Sequence, residues 1–462
     1  MEARLIFTKS APGQNSFSLP DCKLDYPLTG LQERSTALDL PDLSEVEVIR
    51  HFTQLSKLAY GVDDGFYPLG SCTMKHNPKL ADVTSGLDGF NQIHPLQAKN
   101  TTVGCQKVLA ELTSALKAIT GMAAFSLSPA AGAHGEFLGL LLVRKYHQER
   151  KDDKRTIVLV PDSAHGTNPA SANMCDYQVI TIPSNEFGRV DLEKLKAVVD
   201  DRVACLMLTN PNTLGLFESE IKEIAAIVHG AGGLLYYDGA NLNAIMGISN
   251  PRIMGFDIVH LNLHKTFGTP HGGGGPGAGP LGCITELAPY LPEAQENSVG
   301  QIKAFSGNFL VLVRALTYIK RLGADGLLAA SQNAVLNANY LMWRLHERFD
   351  IPFYDQGCMH EFVVSLSDYK ENKGISALDL AKAIIDAGIH PPTIYFPLIV
   401  KEALMIEPTE TEGKERLDEF VAVLFAALTD PEIHERPLKS YVSRLDEVKA
   451  AREPQLTYQK PD

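Results

Sequence analysis

Several features that mark whole classes of proteins are scarce or missing in this sequence. Its seven cysteines are an odd number and include no CxxC pair, which predicts free thiols in a reducing compartment. No uninterrupted apolar run approaches the roughly 20 residues that a membrane-spanning helix needs. Acidic residues outnumber basic residues by 55 to 42, and the net charge of −13 argues against wholesale binding to nucleic acid or membranes. We therefore expect a cytoplasmic protein.

The rest of the composition is that of a globular chain, and its pattern changes twice along the 462 residues. The first twenty residues lack the basic-then-apolar pattern of a secretory signal, so we expect them to belong to the mature protein. Residues 1–90 are irregular and rich in Pro and Asp, which predicts an N-terminal arm. Residues 91–330 are predicted to form a large α/β domain, and residues 331–462 a smaller α+β domain.

Short apolar segments alternate with amphipathic segments through the large domain. The apolar segments TIVLV, YQVITIP, ACLMLTN, GLLYYDGA and DIVHLNL begin at residues 156, 177, 204, 233 and 257. Helical patterns such as DLEKLKAVV and SEIKEIAAIVHGAG lie between them. This alternation predicts an α/β fold with a mostly parallel sheet and helices on its faces.

Four segments of unusual composition fall where predicted strands end. They are SAHGTNPAS, TNPNTLG, DGANLNA and HKTFGTP, at residues 163–171, 209–215, 238–244 and 264–270. Ligands of an open parallel sheet bind outside the carboxyl ends of its strands. We therefore expect these segments to meet at one site.

The chemistry of that site is indicated by Lys265. An amine there can form a Schiff base, and Asp238 at another strand end can hold a pyridinium nitrogen protonated. The small residues of SPAAGAHGE, residues 128–136, suit a phosphate at a helix start, and His165 offers a flat ring. Each feature alone has an ordinary structural explanation. Together they indicate pyridoxal phosphate (PLP).

The glycine-rich run HGGGGPGAG after Lys265 fits other cofactors less well. A dinucleotide fingerprint lies between a strand and a helix, whereas this run leads into another strand-like segment, LGCIT. We predict a loop, which includes Gly273 and Gly274, whose backbone passes close to a ligand and moves to admit a bulky one. Metal is a weak interpretation, because His260 and His264 are placed on an extended run without a Cys cluster or HExxH. We predict no metal.

Six blocks of the sequence resemble the glycine decarboxylase P-protein family of the glycine cleavage system, in its two-chain form. They are YPLGSCTMKHNP (67–78), SPAAGAHGE, AHGTNPASA, DGANLNA, LNLHKTFGTPHGGGGPGAGP (261–280) and the late PPTIYFPL with EALMIEPTETE. The resemblance covers nearly the whole chain and matches the second subunit of that form.

The resemblance implies a fold-type I PLP enzyme with a seven-stranded sheet and Lys265 as the Schiff-base residue. It implies that His165 stacks on the cofactor ring and that Asp238 faces the pyridine nitrogen. The other implied contacts are Ala131, Gly132 and His264 to the phosphate and Thr167 and Asn210 to the ring substituents.

The implied activity is PLP-dependent decarboxylation of glycine, with transfer of the aminomethyl group to the lipoyl arm of an H-protein and release of CO2. The implied assembly is a heterodimer with subunit 1, or a dimer of heterodimers. Two alternatives stay open at this point. The chain could be another fold-type I enzyme, an amino-acid decarboxylase or an aminotransferase, or it could be a non-catalytic assembly subunit, which the Lys265 amine argues against.

Other residues of the arm and the large domain are weaker candidates. Cys72 is interpreted as a small buried residue of the arm in preference to a redox group. Ser71, Lys75 and His76 are candidates for approaching the site. Arg314 is a candidate for binding a carboxylate, although a residue on an ordinary helix face explains it better.

Overall fold

A computed structural model of the chain describes residues 5–14, 30, 34–36, 38, 40–94, 96–272, 275, 277–293, 297–305, 307–440 and 442–457. Its contacts divide the chain into two compact units. One comprises Met1–Asp64 with Pro437–Asp462, and the other comprises Gly65–Arg436. The domain boundaries near residues 90 and 330 stay a prediction.

Fifteen α-helices are present in the described residues. They are α1 Glu45–Ser56, α2 Lys79–Ser85, α3 Asp88–Asn91, α4 Val103–Thr120, α5 Gly132–Glu149, α6 Thr167–Met174, α7 Leu192–Val198, α8 Ile221–Gly230, α9 Pro251–Met254, α10 Leu263–Thr266, α11 Phe309–Leu345, α12 Ser367–Lys373, α13 Ala377–Asp386, α14 Lys414–Ala427 and α15 Glu447–Arg452. Within this part of the chain, every helix is too short or too polar to cross a membrane.

Ten strands in the described residues form two sheets. They are β1 Ala124–Ser126, β2 Ile157–Pro161, β3 Gln178–Ile182, β4 Val203–Leu208, β5 Leu234–Gly239, β6 Ile258–Leu261, β7 Leu281–Cys283, β8 Phe362–Ser365, β9 Thr393–Ile394 and β10 Ala403–Ile406. The large sheet has the order β1-β7-β6-β5-β4-β2-β3, and the small sheet has the order β8-β10-β9.

The large sheet is mostly parallel, as the sequence predicted. Strands β3, β2, β4, β5 and β6 are parallel neighbours, and β7 runs antiparallel to both β6 and β1. The five apolar segments form β2 to β6. The residues of β2, β4, β5 and β6 are all buried, as expected for strands covered on both faces, whereas β3 lies at the edge and buries only Ile182. Strand β1, with only three residues, was not predicted.

The strand period of two divides the core between the two faces of this sheet. On β5, Leu235 and Tyr237 pack with residues of α4, α8 and α11, whereas Leu234 and Tyr236 pack with residues of α5 and α6 on the opposite face. A further core cluster lies between β8, β10, α13 and α14. Strand ends are thereby fixed in space by helices on both sides.

Local signals explain where several helices begin and bend. Helix α13 begins with a capping box. The Ser376 hydroxyl accepts from the Asp379 backbone N–H, and the Asp379 carboxylate accepts from the Ser376 backbone N–H. In α11, Gly323 has φ 63°, and the helix is interrupted there. The glycine permits this left-handed conformation, which other residues adopt only with strain.

Close packing of α5 on β5 gives a test of the fold. A Cβ at Gly139 of α5 would overlap the ring of Tyr236. We expect Gly139→Ala to lower the free energy of unfolding by about 1–3 kcal/mol through overpacking. Urea unfolding followed by circular dichroism measures this change.

Gly104 of α4 provides the matched control, since a Cβ there would meet open space. Gly104→Ala should leave the free energy of unfolding unchanged or raise it by up to about 1 kcal/mol. Equal destabilisation by the two substitutions would contradict the close approach of α5 to β5.

Candidate active site

A cavity lies where the carboxyl ends of β2, β4, β5 and β6 meet the start of α5. Its volume is about 160 Å³, which is far more than the share of about 30 Å³ that one water molecule occupies in the liquid. Five of the predicted site residues line it: Gly132, His165, Thr167, Asp238 and Lys265. The structure thus brings together residues that are up to 133 positions apart in the sequence (265 − 132).

Lys265 lies in the one-turn helix α10, which follows β6, and not on the strand itself. Its half-buried side chain turns back into the cavity. There the Lys265 Nζ donates a hydrogen bond to the Ser71 carbonyl oxygen at 2.7 Å. The amine is therefore positioned by a backbone oxygen from a segment that lies 194 residues earlier.

Asp238 is the penultimate residue of β5 and is only 4% exposed. Its Oδ1 accepts from the Ala240 backbone N–H at 3.1 Å. The His260 Nε2 lies 3.3 Å from the same oxygen without forming a hydrogen bond, and burial lowers the pKa of His260. Because the His260 ring is neutral, the Asp238 carboxylate remains available to pair with a cationic group in the cavity.

The start of α5 forms another wall of the cavity. The N-cap residue is Ala131, which has no side-chain oxygen to accept from the first N–H groups of the helix. A Cβ at Gly132 would come within 2.5 Å of Asn262 Oδ1, so only glycine fits there. Asn262 Oδ1 is itself buried without a hydrogen-bond partner. Free N–H groups and a helix dipole at a cavity wall suit a phosphate group.

Part of the glycine-rich run also packs against this helix start. Gly279 N–H donates to the Pro129 carbonyl oxygen at 3.0 Å, and a Cβ at Gly279 would overlap the Ala131 carbonyl. This glycine is thus required by close approach of two backbone segments. Gly273 and Gly274, on which the prediction of a ligand-contacting loop depends, lie outside the described residues.

Glu136, one turn into α5, links the predicted cofactor residues. Its Oε1 accepts from the Thr167 hydroxyl at 2.9 Å, and that hydroxyl lies 3.0 Å from His165 Nδ1. Burial, reinforced by the nearby Asp238 carboxylate, raises the pKa of Glu136 to about 8. Glu136 is therefore largely protonated at neutral pH. Burial lowers the pKa of His165, which leaves its ring neutral.

Three predicted residues do not line the cavity. Ala131 borders it as the N-cap of α5. The Asn210 side chain is fully buried beneath it, where Oδ1 accepts from the Glu218 backbone N–H at 2.9 Å. His264 lies on α10 and accepts from the Ala278 N–H at 3.4 Å. Burial and the Lys265 charge lower the pKa of His264 to about 4.

Two of the weaker candidates also lie away from the cavity. Arg314 forms an ion pair with Asp82 at 3.3 Å, which agrees with the preferred interpretation of a helix-face residue. His76 is exposed, and its backbone N–H donates to the Thr411 hydroxyl at 3.2 Å. Cys72, which was interpreted as a buried residue, is only half-buried, and burial raises the pKa of its thiol.

The segment around Ser71 is held at the cavity by Lys75, which is 2% exposed. The Lys75 ammonium donates to Glu410 Oε1 and Asn243 Oδ1 at 2.6 Å each, and to the Thr266 carbonyl at 2.9 Å. Although burial opposes the charged form, the Glu410 carboxylate outweighs it and raises the pKa of Lys75. The ion pair fixes this segment beside α10, the helix that carries Lys265.

Three acidic residues of the site were not predicted. They are Glu136, Glu361 and Glu407, with exposures of 4%, 4% and 0%. Only their position in the resembling blocks SPAAGAHGE and EALMIEPTETE could have drawn attention to two of them, because a glutamate is normally a solvated residue.

Two trios of buried side chains each bring potential metal ligands within 4.8 Å of one another. They are Glu136, Asp238 and His260, and His360, Glu361 and Glu407. His264, one half of the weak metal interpretation, belongs to neither.

Family models match two parts of the chain. A model described as "Aminotransferase class-V" matches residues 139–274, and one described as "Glycine dehydrogenase, C-terminal domain" matches residues 330–444. Among solved structures, a glycine decarboxylase (P-protein) of the glycine cleavage system aligns with a TM-score of 0.70 at 21% identity, over 84% of this chain and 91% of that one. A NifS-like protein aligns with a TM-score of 0.64 at 14% identity, over 79% and 99%. These structural likenesses concern the fold.

Relatives of similar length match the whole sequence. The probable glycine dehydrogenase (decarboxylating) subunit 2 of Treponema denticola is 54% identical over 479 residues, which cover 99% of this chain and 98% of the relative. The proteins of the same name from Listeria innocua and Caldanaerobacter subterraneus are 52% and 54% identical, with 99% of this chain covered.

The fold and the class-V match define a PLP-dependent enzyme of fold type I. The Lys265 amine, the Asp238 carboxylate and the uncapped start of α5 fit such a cofactor. At more than 50% identity over nearly its full length, the chain belongs to the family of glycine dehydrogenase (decarboxylating) subunit 2. The family resemblance stated from the sequence is thereby confirmed.

The raised pKa of Glu136 predicts how stability depends on pH. Between about 4.5 and about 8 the folded chain retains a proton that the unfolded chain releases, so the free energy of unfolding falls as the pH rises through this window. Glu136→Gln removes this pH-dependent contribution to the free energy of unfolding while keeping the size of the side chain. Relative to the unmodified chain, the variant should gain stability from pH 4.5 to 8 and then level off.

Urea unfolding without added PLP, at several pH values, measures this difference. Glu149→Gln, at the exposed end of the same helix, is the control and should leave the difference constant. A flat profile for Glu136→Gln would show that Glu136 is ionised in the folded chain.

Proposed function

We propose that this chain catalyses the decarboxylation of glycine with PLP bound at Lys265, and that the aminomethyl group passes to a lipoyl arm of a carrier H-protein. The observation that carries the proposal is the cavity, where Lys265, Asp238 and the start of α5 converge in a chain of this family. PLP when bound supplies an electron sink for the bond that breaks as CO2 leaves.

The residues of the chain divide the remaining tasks. Lys265 would hold PLP through a Schiff base, and its free amine is held by the Ser71 carbonyl oxygen. Asp238, nearly buried, holds a proton at the pyridine nitrogen. The first N–H groups of α5, at Gly132 and Ala133, bind the phosphate. The neutral ring of His165, tied through Thr167 to Glu136, covers the cofactor ring.

Three further residues would act from just outside the cavity. Ala131 and His264 would border the phosphate. Asn210 would support the loop in which its neighbours Thr209 and Pro211 line the cavity. The name "subunit 2" that these relatives carry supports a complex with a subunit 1, as a heterodimer or a dimer of heterodimers. A cytoplasmic location stays a prediction from the composition.

The alternative fold-type I activities would use the same lysine and aspartate. The full-length relatives named glycine dehydrogenase do not favour them. An assembly subunit without catalysis is opposed by the amine placed inside a cavity opposite a carboxylate.

Borohydride reduction tests the cofactor link. The purified chain, alone and with subunit 1, is incubated with PLP, reduced, digested and analysed by mass spectrometry. We expect a phosphopyridoxyl group on Lys265. Lys75 serves as an internal control, because Glu410 and two oxygens already occupy its buried amine. A label on Lys75 or elsewhere, with Lys265 unmodified, would reject the assignment.

Exchange of labelled CO2 into glycine, with subunit 1 and lipoylated H-protein, tests the reaction. Asp238→Asn should lower the exchange rate by about 10²–10³-fold, because the amide cannot balance a ring proton. Asp257→Asn is the control: Asp257 is equally buried but lies at the amino ends of the strands, where it accepts from Leu235 N–H and His229. It should lose stability but keep the exchange rate of the folded enzyme. Transamination in place of exchange would favour the alternative class.

A further inference from the structure

Two glutamates hold the turn that carries the hydrogen-bond acceptor of Lys265. Glu361 precedes β8 and Glu407 follows β10, and these strands pair with Phe362 opposite Ile406. Glu361 Oε2 accepts from the Ser71 backbone N–H at 2.8 Å, and Glu407 Oε2 accepts from the Thr73 backbone N–H at 3.1 Å. The two carboxyl groups therefore grip the same turn from the small sheet.

This turn is strained and needs such support. Ser71 has φ 68° and Thr73 has φ 49°, conformations that cost a residue other than glycine roughly 1–3 kcal/mol. Gly70 N–H donates to the Met405 carbonyl at 3.2 Å, and a Cβ at Gly70 would meet that same carbonyl. The turn is thus pinned to β10 with its Ser71 carbonyl directed at Lys265.

The two carboxyl groups are close enough to oppose each other's ionisation. Oxygens of both lie within 4.8 Å of each other and of a His360 ring nitrogen. Burial lowers the pKa of His360 to about 3, so this ring adds no positive charge. Burial and the Glu407 charge raise the pKa of Glu361 well above its usual range, and burial raises that of Glu407 to about 7. Two charges side by side in this apolar setting would be costly.

Among the titratable groups near Glu361 and Glu407, Lys265 is the one that can supply a positive charge to the pair. Cys72 of the turn is a neutral thiol, because burial raises its pKa, and His360 is neutral. Lys75 is engaged by Glu410. Lys265, on α10, lines the cavity with Glu361, and its charge opposes the effect of burial on the pKa of both glutamates. Asp238 lines the same cavity, and the proposed function commits it to the pyridine nitrogen.

We propose that Glu361 and Glu407 share a single proton and act together as positioning residues for Lys265. They hold the Ser71 carbonyl against its amine, and their one negative charge balances the amine when it is protonated. This inference depends on the proposed role of Lys265. Glu407 carries the charge, since it also accepts twice from the Asn241 amide, at 3.0 and 3.1 Å. Glu361 carries the proton.

A double-substitution cycle tests the shared proton. In the full chain without added PLP, the pH midpoint for acylation of Lys265 is followed by mass spectrometry. Glu361→Gln should leave the midpoint nearly unchanged, because glutamine imitates the protonated acid and still accepts from Ser71 N–H. In Glu407→Gln the charge moves to Glu361, with a small effect. The double substitution should lower the midpoint by about 1–2 pH units.

Additive shifts from the two single substitutions would show two independent charges and overturn the proposal, as would an unchanged midpoint in the double variant. Difference infrared spectra give a second readout: the spectrum of Glu361→Gln, compared with that of the unmodified chain, should show the loss of one protonated carboxyl band, beside the band that Glu136 retains. A difference spectrum without that loss would also overturn the proposal. Failure of borohydride labelling at Lys265 would instead reject the proposed function. It would not affect the pH midpoints for acylation of Lys265, because these are measured without PLP.

Discussion

The buried ion pair between Lys75 and Glu410 is the interaction on which the site depends. An ammonium group in the interior is costly unless its donors are used, and Lys75 has acceptors from four other segments around it, at Asn243, Thr266, Tyr318 and Glu410. One of them is the carbonyl of Thr266, the neighbour of Lys265. The pair therefore joins the loop after β10, the strained turn at Ser71 and the helix α10 into one wall. Breaking it would release the turn as well as the charge.

Four carboxyl groups lie around the site of Lys265, those of Asp238, Glu136 and the pair Glu361 and Glu407, and the structure separates their tasks by their environment. Asp238 stands at a strand end, where an open cavity can supply a cation. Glu136 lines the same cavity, and its raised pKa keeps it neutral beside Asp238. Glu361 lies in the small-sheet wall, among donors from the turn. The same type of group, a carboxyl, thus has three roles because burial and neighbouring groups differ. Asp238 provides a charge, Glu136 is a neutral hydrogen-bond partner, and Glu361 belongs to a pair that shares one proton.

The sequence was sufficient for the parts of the structure that follow from local periodicity. Alternating apolar and amphipathic segments predicted a parallel sheet, and the rule for strand ends brought Lys265, Asp238, His165 and Thr167 together. Asn210 reaches the cavity only through its neighbours Thr209 and Pro211, while its side chain turns into the core. Glu361 could not be predicted, since its contact with Ser71 spans 290 residues and depends on how two sheets are arranged.

The same physical rule relates the charges of the cavity wall to the proposed cofactor. A phosphate would bring negative charge to the start of α5, and a protonated ring nitrogen would bring positive charge to Asp238. If Glu136 were ionised as well, the wall would hold two negative charges against one ring proton. Its neutral form leaves the balance at one to one. Burial of Glu136, which raises its pKa to about 8, therefore favours a single negative charge on this wall at neutral pH.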